Sequence, residues 1–73
     1  MLTPDELAQA QRLIDAASPG IYEVKDLYGQ EWAKVLSPTT FGKRFKQSVV
    51  GGQLKGIRYD STRGDNHKLY EVE

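Results

Sequence analysis

Apolar positions along this chain change their spacing several times, and each change marks an element. Leu7, Ala10, Leu13, Ile14 and Ala17 recur three and four residues apart, the spacing that lines one face of an α-helix. A helix start precedes them: Thr3 stands at the cap, Pro4 suits the first helical position, and Glu6 completes a capping box with Thr3. Leu2 and Leu7 are placed to form a hydrophobic staple around that start. Ser18-Pro19-Gly20 ends the helix near Ala17. Ile21 to Val24 then reads as a brief strand, with a β-branched residue at each end. A second helix follows, with Leu27, Trp32, Val35 and Leu36 as its apolar positions. Gly29 leaves its start open between Asp26 and Gln30.

Ser37-Pro38 repeats the pattern of Thr3-Pro4, a hydroxyl cap followed by proline, and predicts a third helix to about Val50, closed by Gly51-Gly52. At about 100° per residue, Phe41, Phe45, Ser48 and Val49 share one side. Thr40, Lys43, Arg44 and Gln47 share the opposite side, with Lys46 at its flank. Leu54 to Tyr59 reads as a strand, and Lys68 to Val72 as a second whose Tyr70 and Val72 point inward. The turn formers of DSTRGDNH join the two as an antiparallel hairpin. Phe41, Phe45 and Trp32 are core positions, whereas Tyr22, Tyr28, Tyr59 and Tyr70 are expected at the boundary with packed rings and wet hydroxyls. Helix, short strand, helix, helix, strand, strand is an α+β order. It predicts a winged helix-turn-helix over residues 1–73 as one domain, three helices with a C-terminal hairpin as the wing.

Composition narrows what such a fold can do. With 73 residues the core is small, and with no cysteine there is no disulfide, thiolate metal site or thiol nucleophile. No apolar run approaches the ~18 residues of a membrane span, and no basic-then-apolar leader opens the chain, so a cytoplasmic protein without a membrane partner is expected. GGQLKG lacks the GK[ST] of a phosphate-binding loop, His67 is the sole histidine, and no serine, histidine and aspartate are arranged as a triad. The expectation is therefore a non-enzyme with no cofactor and no metal. Formal net charge is zero, yet its distribution is uneven. Residues 38–68 carry Lys43, Arg44, Lys46, Lys55, Arg58, Arg63 and Lys68 against Asp60 and Asp65, while most acidic residues lie before them. Such asymmetry marks a candidate anion-binding face.

The segments TTFGKRFKQSV, GIRYDSTRG and NHKLYEV carry a family resemblance. From Thr39 onward the chain resembles the winged-helix domains of the regulatory factor X family and the C-terminal domains of viral and phage primase-helicases. The resemblance covers roughly the C-terminal half and implies binding of double-stranded DNA by the third helix and the wing. Lys43, Arg44 and Gln47 match the exposed helix positions, and Arg58, Arg63, Asn66, His67 and Lys68 match the wing. Thr39, Thr40, Lys46 and Lys55 complete the candidate contact set; Gln47 and Thr40 are suited to base edges and the cations to phosphates. A phage or bacterial regulator of transcription or replication is the expected role, acting as a homodimer on two half-sites because one domain offers few phosphate contacts. The alternative is a winged-helix protein-interaction module, such as a phage inhibitor of a host complex, which the neutral net charge and acidic first half suit.

Overall fold

The computed structural model describes residues 1–64 and 67–73. Helix α1 spans Pro4–Ala16, strand β1 Gly20–Tyr22, helix α2 Val24–Tyr28, a 3-10 segment Gly29–Lys34, helix α3 Pro38–Val50, strand β2 Ile57–Thr62 and strand β3 Lys68–Val72. The sheet order is β1-β3-β2, with both neighbouring pairs antiparallel. This is an α+β winged helix-turn-helix: the β2-β3 hairpin is the wing, and short β1 pairs with β3 to close the sheet over the helices.

The start of α1 is the capping box that its sequence encodes. Thr3 Oγ1 accepts from the Glu6 amide at 3.2 Å, and Glu6 Oε1 accepts from the Thr3 amide at 2.9 Å. Two of the amides that a helix start leaves without partners are thereby satisfied. Leu2 is buried and Leu7 packs against the same core. Ser48, the buried polar side chain of α3, accepts from the Leu2 amide at 3.1 Å and fastens this segment to α3.

The second helix departs from expectation. It begins at Val24, inside the expected strand, and ends at Gly29, whose φ of +56° favours glycine. Gly29 thus closes α2 instead of lying within a longer helix, and the chain goes on as a 3-10 segment. With about three residues per turn, that segment shifts the phase of the side chains that follow. Trp32 and Val35 remain packed against the core, but Leu36, expected on the apolar face, is 99% exposed.

Strand β2 also begins later than expected. Leu54 is buried in the connection after α3, and Gly56, at φ +78°, turns the chain into the sheet at Ile57. Ile57 pairs with Val72, Tyr59 with Tyr70 and Thr62 with Lys68, with an irregularity between Tyr59 and Ser61. The inward side of this hairpin, Ile57, Tyr70 and Val72, meets Phe45, Ala10 and Ile14 in one core. Edge-to-face rings organise its centre, with Phe45 and Tyr70 centroids 5.1 Å apart and Tyr28 and Phe41 5.4 Å apart. Two tyrosines lie deeper than boundary residues. The hydroxyls of Tyr28 and Tyr70 are buried and lack a partner among the described residues. Burial pushes both phenols up, Tyr28 to about 12, so both stay neutral. Tyr22 fits expectation better, its half-buried ring ending in a hydroxyl that donates to the Ser18 carbonyl at 2.7 Å.

Candidate nucleic-acid interface

Helix α3 divides cleanly. Phe41, Phe45, Ser48 and Val49 are buried, while Thr39, Thr40, Lys43, Gln47 and Val50 are exposed. The helix contains no acidic residue. Its start differs from that of α1 despite the shared hydroxyl-proline signal. Ser37 occupies the cap position, but its side chain makes no capping hydrogen bond, contrary to the sequence expectation. At the third helical position stands Thr40, where α1 has Glu6, so no carboxylate closes the turn.

The candidate contact residues separate into several groups. Arg44 turns toward α1, where its guanidinium forms a paired contact with Glu6, the longer arm at 3.4 Å, and donates to the Met1 carbonyl at 3.3 Å. The Glu6 carboxyl is held below its ordinary range, first by the Thr3 amide and then by Arg44, with desolvation opposing both. Gln47 Oε1 accepts from the Met1 ammonium at 3.0 Å. Lys46 leans the other way, its Nζ 4.4 Å from the centroid of the Tyr59 ring. Only Thr39, Thr40 and Lys43 among the α3 candidates stand exposed without such a tether in the described contacts.

On the wing, Arg58 pairs across the ladder with Glu71, Nε to Oε1 at 2.5 Å. That hydrogen bond and the Glu71 charge raise the guanidinium's pKa further. The Arg63 amide donates to the His67 carbonyl at 2.8 Å and closes the wing tip. His67 Nδ1 pairs with Glu23, joining the wing to the turn between β1 and α2. Asn66 lies outside the described residues. Lys55 lies before β2, at the end of the hairpin away from its tip, where Gln11 of α1 bonds both its amide and its carbonyl at 2.9 Å.

A groove of about 300 Å³ separates the first turns of α3 from the wing. Thr39 and Lys43 border it from α3, His67 and Lys68 from the wing, and Lys25 and Glu23 from the start of α2. Lys25 escaped the sequence reading because it stands alone among Glu23 and Asp26, with no local pattern to distinguish it. Glu6, Glu23 and Glu71 were missed as partners because each meets its basic partner through the fold.

A family model described as a domain of unknown function, DUF1413, matches residues 8–71. The chain belongs to this family. The matched span of the DUF1413 domain runs from within α1 to β3 and includes the whole groove. No curated protein and no solved structure matches the chain. Among the described residues, no helix of this DUF1413 domain is long and apolar enough to cross a membrane. Chemically, the groove offers ammonium groups and a threonine hydroxyl around an uncapped helix start, a set suited to an anion.

Proposed function

We propose that this domain binds double-stranded DNA, with α3 and the wing as the contact elements. The observation that carries the reading is the exposed side of α3, a helix without an acidic residue, with Thr39 and Lys43 open beside the wing and Thr40 exposed next to them. In a helix-turn-helix this helix is the one presented to the major groove. Lys43, Lys68 and the other wing cations contact phosphates, while Thr40 and Gln47 lie nearest the base edges, Gln47 after release from the Met1 ammonium. Arg44 supports the surface from behind by anchoring α3 to α1. The role is that of a cytoplasmic regulator of transcription or replication, binding as a homodimer because one domain supplies few phosphate contacts.

Fluorescence anisotropy with random-sequence duplex DNA at several salt concentrations tests the reading. Binding should weaken steeply with salt, and Lys43→Ala should weaken it at every sequence and reduce the salt slope by about 1. Absence of binding at low salt overturns it. A protein-interaction module is then favoured, supported by apolar side chains left in water: Leu36 at 99% exposure, Val50 at 66% and Met1 at 58%.

A further inference from the structure

We infer that the groove between α2, α3 and the wing is a clamp for one phosphodiester group, closed by Lys25, Lys43 and Lys68. The three lysines come from three different elements, so no local sequence run accounts for their lining one groove. Glu23 also lines the groove, and its carboxylate is held by His67. The first turn of α3 faces the groove through Thr39, and neither a side-chain cap nor an acidic residue competes for its amides. Tyr70, 1% exposed, forms part of the wall, with its ring packed edge-to-face on Phe45. Positive side chains and the open amides of the α3 start border one small groove, and the complementary ligand is a compact oxyanion. At about 300 Å³ the opening admits a phosphate group and not a duplex, so the strand's backbone rests over it with one phosphate inserted.

The inference depends on the DNA-binding reading for the carrier of the phosphate, and on the groove alone for the anion. It gives α2 a contact role through Lys25, beyond those of α3 and the wing. The His67–Glu23 pair serves the clamp by holding the wing side of the groove to the start of α2.

Amide NMR of the full chain, titrated with inorganic phosphate and then with chloride at matched ionic strength, tests the anion site. Phosphate should give saturable shifts at Thr39, Thr40 and Lys43 that chloride does not reproduce. Lys25→Glu should weaken phosphate binding by about tenfold, as expected for losing one charge-assisted contact. Arg12→Glu, the same charge change at an exposed position of α1, should alter it by no more than about twofold because salt screens a distant charge. Lys43→Ala provides a second test should Lys25→Glu fold poorly. Shifts equal in the two salts, or equal weakening by Lys25→Glu and Arg12→Glu, would overturn the clamp as mere charge screening. Duplex anisotropy separates the two readings. Duplex binding that Lys25→Glu leaves unchanged removes the clamp and keeps the DNA reading. Saturable phosphate binding without duplex binding removes the DNA reading and keeps the anion site.

Discussion

The first turns of α1 and α3 start from the same punctuation, a hydroxyl residue followed by proline, and end in opposite states. In α1, Thr3 and Glu6 satisfy one another's amides, Arg44 seals the carboxylate, and the helix start is closed. In α3, Ser37 does not cap, Thr40 replaces the carboxylate, and the turn opens on a groove lined by lysines. Both helices are 13 residues long and proline-led, so neither length nor punctuation explains the contrast. Two differences do: Ser37 has φ −134° and ψ 81°, away from the extended cap conformation of Thr3, and Thr40 stands where α1 has Glu6. A carboxylate there neutralises the positive end of the helix dipole internally, whereas a threonine leaves that end available to an external anion. The lesson is that one cap signal specifies where a helix begins, while the cap residue's conformation and the third helical residue together set whether that beginning is closed or open.

The largest expected effect tests what anchors α3 in the absence of a cap. Phe45 is fully buried between the helices and Tyr70, so Phe45→Ala should cost about 3–5 kcal/mol in urea denaturation. A loss below about 1 kcal/mol would mean that α3 is held by something other than its core face. Next comes the contrast of caps. Thr3→Ala should cost about 1 kcal/mol, while Ser37→Ala should stay within about 0.5 kcal/mol because its hydroxyl makes no capping bond. Equal losses would erase the distinction. Ser37→Asp would convert the α3 start toward the closed state, adding roughly 0.5 kcal/mol of stability while weakening phosphate and DNA binding. If binding strengthened instead, the open turn would have no part in it.

The smallest effect is in pH. The Glu6 carboxyl is held below its ordinary value of 4.5 in the folded protein, so its contribution is fully present above that value. As pH falls below 4.5 and through the lower folded value, protonation removes that contribution, and stability should decline. Denaturation curves of the native protein and of Glu6→Gln should therefore converge in acid and separate toward neutral pH. Curves that stay parallel would show that the closed start of α1 owes nothing to the carboxylate charge.

Particular elements show what was legible. Thr3-Pro4 with Glu6, the Phe41/Phe45 side of α3 and the register-bearing pair Tyr70 and Val72 could be read because each depends on local spacing. Leu36 was misplaced since a 3-10 segment, not an α-helix, precedes it, and its period differs from the one assumed. Val24 and Leu54 look like strand residues by type, yet one starts α2 and the other fills the core from a loop. Tyr28 and Tyr70 carry polar ends that place tyrosines at boundaries on average, but their rings sit too deep for water to reach the hydroxyls.

For the candidate interface, composition pointed to the basic half and periodicity to the outward side of α3. Pairing across the fold then reduced and redirected that set. Arg44 is bound to Glu6, 38 residues away in sequence, Arg58 to Glu71 on the neighbouring strand, and His67 to Glu23 at the β1–α2 turn. Lys25, from the acidic half, joins Lys43 and Lys68 at the groove. By itself the sequence determined the element order, the capped start of α1 and the two sides of α3, because those follow from bonds and spacings within a few residues. Only the tertiary structure decided which cations are neutralised and which converge, because charge pairing depends on distance through space, and the chain brings distant residues together only when it folds.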